Sequence, residues 1–209
     1  MAAISNPIRL SQVIMKQNLA PDWPAAASLS DEQLLLGVQE GQRQALAGLV
    51  ERHHSPLLGY LYRLNGGDRP LAEDWAQESF LRVLRSVGQY RYPQPFKPWL
   101  YAIATNLARD HFKAAETRQT ESEPDEPGFW QNKGGTVAAA EQLFIQQETQ
   151  NQVAAAILHL PPHQRETIIL RYYQDFSLAE IAAIQGIPVG TVKSRLSVAL
   201  GRLKDVIRE

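Results

Sequence analysis

Small, polar and cationic side chains lie close together between Gly190 and Gly201, near the end of this 209-residue chain. Lys193, Ser194 and Ser197 would share one face of a helix, because residues three and four positions apart are neighbours on a helix surface. Such a face can enter the major groove of DNA, where side chains bond base edges and cations bond phosphates. The residue types therefore predict a DNA-reading helix.

The residues before this run carry the signals of a helix-turn-helix. Ser177 and Glu180 have the spacing of a capping box, in which each side chain bonds the backbone N–H of the other residue. Gly186 suits the turn that ends this short helix, and Pro188 is favoured near the first turn of the next one. A short helix, a glycine-containing turn and a second helix make up the helix-turn-helix pattern.

The predicted second helix also has an apolar face and a local excess of positive charge. Its apolar residues recur every three or four positions and are expected to pack on the rest of the domain; they are Val192, Leu196, Ala199, Leu200, Leu203 and Val206. From residue 186 to the end, five Lys and Arg residues stand against two acids, an excess of three. Since the whole chain carries a net charge of −1, binding to phosphates must come from such a local patch.

The composition argues against several other kinds of site. The chain has no cysteine, and its five histidines lack the spacing of a metal site. It has no glycine-rich phosphate loop and no nucleophile elbow, so no enzyme activity, cofactor or small-molecule substrate is expected. No apolar run approaches the roughly 20 residues that span a bilayer, and the first residues do not resemble a secretory signal. We therefore predict a cytoplasmic protein without membrane insertion.

The apolar spacing along the chain predicts an all-α fold with two helical domains. Residues 1–27 are interpreted as a loosely ordered tail, and helical spacing follows over residues 28–115. The third helix of that domain is expected to be lined by Leu71, Trp75, Leu81, Leu84 and Val87. Residues 116–150, which are acidic and interrupted by Pro and Gly, predict a flexible linker, and residues 151–209 form the second domain.

Five stretches of the two domains share the pattern of a known family. In the second domain they are residues 160–172, residues 180–182 and the Gly-Thr-Val-Lys-Ser-Arg-Leu run at 190–196. In the first domain they are residues 72–83 and 96–110. The chain resembles the extracytoplasmic-function (ECF) group of RNA polymerase sigma factors, with region 2 as a helical bundle and region 4 as the helix-turn-helix. The resemblance implies partners: the β and β′ subunits of core RNA polymerase, promoter DNA and an anti-sigma factor.

The resemblance also implies roles for individual residues. Contacts with core polymerase are expected from Asp74, Gln77, Glu78 and Arg82, with an internally paired, solvated helix face as the alternative. The minus-ten element is expected to meet Tyr90, Arg91, Tyr92, Asn106 and Arg109, since rings and guanidinium groups stack on unpaired bases and amides bond their edges. The minus-thirty-five element is expected to meet Thr191, Lys193, Ser194, Arg195, Ser197 and Arg202.

Two features depart from the family pattern. Val198 stands where the family often has a basic residue, so one expected DNA contact is missing and the minus-thirty-five preference is expected to differ. The loop at residues 92–98 has more prolines than usual, so the family's base preference is not expected to transfer to it. The acidic linker either imitates a nucleic-acid backbone or acts as a solvated tether. Phe96 and Trp99 lie on an apolar stripe and are assigned to the core.

Other classes of protein share part of this pattern. A helix-turn-helix regulator of the response-regulator type has a similar C-terminal domain, but it needs a receiver with buried parallel strands. Residues 1–150 give no such strand pattern. A purely structural interaction module would account for residues 30–115 and leave the helix-turn-helix unexplained. Transcription with core polymerase separates these alternatives.

Overall fold

The chain folds into α-helices joined by short turns. The computed structural model describes residues 26–121 and 152–208, with side chains placed at 26–114 and 152–206. The first module contains α1 (Asp31–Gln39), α2 (Arg43–Leu64), α3 (Arg69–Ser86) and α4 (Phe96–Glu121). The second contains α5 (152–158), α6 (Pro162–Tyr172), α7 (Leu178–Gln185) and α8 (Val189–Arg208). Neither described range contains a β-strand, which confirms the all-α prediction.

The start of the first module is fixed by polar contacts. The Ser30 side chain caps α1 in a capping box. Asp31 accepts hydrogen bonds from Arg52 at 2.7 Å and from His53 at 2.6 Å. The bond from His53 is the main cause that lowers the pKa of Asp31 below its usual value. Arg52 also donates to the Ala26 carbonyl at 2.6 Å, so residue 26, which was predicted to lie in the tail, contacts the first module.

The buried face of α3 differs from the predicted one. Leu71 and Val87 pack against the core as half-buried residues, but the side chain of Leu81 is 38% exposed, so its prediction as a core residue is wrong. With 100° between successive residues, Leu81 lies almost opposite the centre of the buried face. The residues that α3 buries are Ala72, Trp75, Ala76, Ser79, Phe80 and Val83.

Helix α4 extends into the segment that the sequence predicted to be linker. Helix α4 continues to Glu121, six residues past the predicted end at 115. Residues 114–116 are Ala-Ala-Glu, which favour helix, so the acidic composition sets in before the helix ends. Residues 1–25 of the predicted tail and residues 122–150 of the predicted linker lie outside the described residues.

The two modules pack against each other, α4 on α7 and α2 on α6. The Tyr101 hydroxyl donates to Gln174 Oε1 at 2.6 Å, and its ring centroid lies 4.9 Å from that of Phe176. Lys97 Nζ donates to the Gln174 carbonyl at 2.9 Å and stands 4.5 Å from the Phe176 ring centroid. We call this contact the module interface, formed by Lys97, Tyr101 and Arg109 with Glu166, Gln174 and Phe176.

Candidate nucleic-acid and polymerase interfaces

The helix-turn-helix forms as its local sequence predicts. The Ser177 N–H donates to Glu180 Oε2 at 2.8 Å, and the Glu180 N–H donates to Ser177 Oγ at 3.2 Å. The hydrogen bond from Ser177 lowers the pKa of the Glu180 carboxyl. Gly186 ends α7 at φ +67°, a left-handed conformation that glycine adopts without strain. Helix α8 then begins directly after Pro188.

Helix α8 has one buried face and one exposed face. Val192, Leu196, Ala199 and Leu203 are buried, as predicted. Of the predicted DNA-contact residues, four are exposed and two are half-buried; Lys193, Ser194, Ser197 and Arg202 are exposed, and Thr191 and Arg195 are half-buried. Leu200 and Val206 are 43% and 48% exposed, so the prediction that they pack on the domain is wrong. Among the described helices, α6 and α7 make the extensive contacts with α8, and they leave the edges of its apolar face uncovered.

A buried polar chain holds Arg195 at the edge of α8. The Arg195 guanidinium donates to Gln185 Oε1 at 3.3 Å. The side-chain amide of Gln185 donates to the buried Thr167 hydroxyl at 2.9 Å. Arg195 is thus tied to the end of α7, while Lys193 extends from the exposed surface. This difference fits a phosphate contact at the flank for Arg195.

The predicted polymerase-contact residues lie on the part of α3 that faces away from the core. Asp74 is exposed, and Gln77, Glu78 and Arg82 are half-buried. Arg82 Nε donates to Glu78 Oε1 at 3.2 Å, so the internal ion pair considered as the alternative is present. Leu81 lies on the same surface, three residues after Glu78 and four after Gln77. Sequence reasoning assigned Leu81 to the core and missed it as an exposed apolar residue within a polar face.

The loop before α4 places two of its three predicted base-stacking residues on the surface. Arg91 is exposed, and Tyr92 is 57% exposed. Tyr90 is only 5% exposed, because its ring packs 5.7 Å from that of Trp99 and its hydroxyl donates to the Gln94 carbonyl at 2.6 Å. The prediction that Tyr90 stacks on a base is therefore corrected: it supports the loop from inside. Asn106 is exposed on α4.

Arg109 has a different environment from the one that its predicted DNA contact requires. Its guanidinium donates to both carboxylate oxygens of Glu166, at 3.0 and 2.7 Å, across the module interface. The Glu166 side chain is 4% exposed, and burial raises its pKa while Arg109 opposes the shift. In this arrangement Arg109 joins the modules and is not free for DNA.

Within residues 26–121 and 152–208, no helix is long and apolar enough to cross a membrane. In those same ranges, no three His, Asp or Glu residues are grouped in a way that could hold a metal ion.

The chain joins a helical bundle with polar exposed faces to a helix-turn-helix whose recognition helix carries cationic and small side chains. These features define the class of DNA-binding transcription proteins. The sequence profile of Sigma-70 region 2 matches residues 49–118, and that of Sigma-70 region 4 matches residues 150–203. The RNA polymerase sigma-H factor of Pseudomonas aeruginosa is 32% identical, over 79% of this chain and 88% of the relative. The ECF RNA polymerase sigma factor SigW of Bacillus subtilis is 31% identical, over 82% of this chain and 94% of the relative.

The fold is also shared with a solved structure. The sigma factor RpoE of Bartonella quintana, in complex with the anti-sigma factor NepR, has a TM-score of 0.60 at 22% identity, over 76% of this chain and 94% of RpoE. The chain belongs to the ECF family of RNA polymerase sigma factors. It binds core RNA polymerase and directs it to promoters, and the response-regulator alternative is not favoured.

Proposed function

We propose that the two modules divide promoter recognition between three surfaces. The exposed face of α3 binds core polymerase, the loop before α4 together with Asn106 reads the minus-ten element, and α8 reads the minus-thirty-five element. The observation that carries this proposal is the surface of α8. Its exposed side bears small and cationic side chains, and its buried side fixes the helix on α6 and α7.

The α3 face has the chemistry of a protein-binding surface. Glu78 and Arg82 are paired with each other, so their charges can be rearranged with a partner at little cost to folding. Leu81 adds exposed apolar area, and removing that area from water on binding a partner is favourable. In this proposal Glu78 and Arg82 pair with each other in the free chain and contact polymerase in the bound state.

The minus-ten surface needs unpaired bases. Tyr92 and Arg91 offer an exposed ring and an exposed guanidinium group, which stack on bases once these leave the duplex. The exposed Asn106 amide can donate to and accept from a base edge. Tyr90 packs against Trp99 and holds the loop in place.

Binding of both promoter elements requires the modules to separate. The two elements lie about 25 base pairs apart, which is roughly 85 Å of duplex at about 3.4 Å per base pair. In this structure, in contrast, the modules are in direct contact, with Arg109 Nη2 and Glu166 Oε1 2.7 Å apart. The 30 residues between positions 121 and 152 can span at most roughly 100 Å, which is enough for both contacts.

Run-off transcription with purified core polymerase tests the proposal. Transcripts from fragments of host DNA should depend on the added chain, and mapped start sites should reveal a shared minus-ten and minus-thirty-five element. The variant with both Lys193→Ala and Arg195→Ala should transcribe much less from promoters that carry an intact minus-thirty-five element, because α8 loses the phosphate contacts that hold it on the DNA. Arg43→Ala, which removes an exposed cation outside the proposed surfaces, serves as the matched control. Selective transcription that survives the double substitution would overturn the assignment of α8.

We further propose that an anti-sigma factor controls this chain, that the chain itself carries out no catalysis, and that it acts in the cytoplasm with the polymerase. The shared fold with RpoE, which NepR binds, supports the first point as a structural precedent only. Affinity capture of the tagged chain from its host, followed by addition of each captured protein to the transcription assay, tests it. A captured protein that blocks transcription only from promoters of this chain is the expected result.

A further inference from the structure

The exposed side of α8 is centred on a stripe without charge. Ser194, Ser197, Val198 and Gly201 follow the spacing i, i+3, i+4 and i+7, so they lie on one line along the helix. All four are exposed, and Val198 is 48% exposed. A Cβ atom at Gly201 would meet no atom of the described residues within 4 Å, so none of the described elements covers this end of the stripe. Val198 is thus a large apolar side chain among small ones.

Cationic side chains border the stripe on both sides. At 100° per residue, Lys193 and Lys204 follow one edge, and Arg195 and Arg202 follow the other. The major groove is about 12 Å wide, similar to the diameter of a helix, so a helix seated in it turns its centre to the bases and its edges to the two phosphate walls. Asp205 follows one turn after Gly201, and its charge limits the base-facing stripe to the residues before it.

The side chains of the stripe offer few polar contacts to a base. The Ser194 hydroxyl donates to the Thr191 carbonyl at 3.0 Å, so its proton is already engaged. No Arg, Lys, Asn or Gln lies within the stripe to form a bidentate bond with guanine or adenine. The contact that Val198 can make is apolar, and the apolar group that a base presents in the major groove is the 5-methyl group of thymine.

We propose that Val198 selects a thymine in the minus-thirty-five element by packing against its 5-methyl group, while Lys193 and Arg195 contact phosphates. The inference rests on the proposed role of α8. The small side chains of Ser194, Ser197 and Gly201 let the helix approach the bases closely enough for this contact. Specificity at that base pair then comes from shape and apolar contact.

The test uses holoenzyme reconstituted from core polymerase and this chain. A promoter library randomised over the minus-thirty-five element is selected for binding, and each thymine of the selected element is then replaced by deoxyuridine, which lacks only the methyl group. One replacement should weaken holoenzyme binding about fourfold, the equivalent of one buried methyl group. With Val198→Ser, the same replacement should have no effect.

Val206→Ser provides a matched control, because Val206 is also 48% exposed on α8 but lies at the edge of its apolar face. This variant should keep the full sensitivity to deoxyuridine. A selected element without thymine, an element in which no replacement weakens binding, or a sensitivity that persists in Val198→Ser would each overturn the inference. If binding depends on the element but not on its methyl groups, only this inference fails. If binding does not depend on the element at all, the proposed role of α8 fails as well.

Discussion

The ion pair across the module interface gives a quantitative prediction. Arg109→Ala would leave the Glu166 carboxylate, whose side chain is 4% exposed, without its cationic partner. Breaking a buried pair from one side costs about 3–5 kcal/mol. The Arg109 side chain is 33% exposed, so we take about 2–3 kcal/mol after solvent screening. Glu166 regains water when the modules separate. The ratio of the closed state, in which the modules are in contact, to the open state, in which they are apart, should therefore fall roughly 30- to 150-fold.

Fluorescence energy transfer between the modules can measure this change. The chain has no cysteine, so labels can be attached to Glu51→Cys on α2 and Ala183→Cys on α7, both at exposed positions. Transfer should decrease in Arg109→Ala. It should recover in the double variant with Glu166→Leu, because no unpaired charge then remains buried. Arg69→Ala removes an arginine from an exposed ion pair and should change nothing.

Equal transfer in Arg109→Ala and Arg69→Ala would refute the reasoning, because it would mean that the buried pair does not hold the modules together. A decrease that Glu166→Leu fails to reverse would mean that Arg109 acts through contacts other than Glu166.

Four further predictions follow from single contacts. Asp74→Ala combined with Gln77→Ala should weaken binding to core polymerase in a pull-down assay and change the melting temperature little, since surface substitutions cost within about 0.5 kcal/mol each; a large loss of stability with unchanged binding would contradict this. Lys193→Ala should weaken promoter binding by the holoenzyme on all sequences alike and reduce the salt dependence by about one ion, whereas relaxed preference at one base pair would indicate a base contact. Leu196→Asp should unfold the second module, measured by circular dichroism, because it places an unpaired charge at a site that is 8% exposed. The lowered pKa of Asp31 means that its carboxylate stabilises the first module above pH 3.8 and that this contribution is lost as the pH falls further; Asp31→Asn should remove that part of the acid dependence of unfolding, and an unchanged acid profile would argue against it.

Local signals in the sequence were sufficient for the helix-turn-helix and the family. The Ser177–Glu180 capping box and the turn at Gly186 depend on residues a few positions apart, so their geometry follows from backbone sterics and short hydrogen bonds. The buried residues of α8 near its start, such as Val192 and Leu196, followed from helical periodicity for the same reason.

Only the tertiary structure decided which sides of the helices are covered. Periodicity shows that α3 and α8 have apolar faces, but the extent of each face depends on the helices packed against it, which left Leu81 and Val206 exposed and Tyr90 buried. The pairing of Arg109 with Glu166 joins residues 57 positions apart in different modules, and no local pattern encodes such a contact. Helix ends are set by neighbours along the chain, whereas burial and ion pairing are set by neighbours in space.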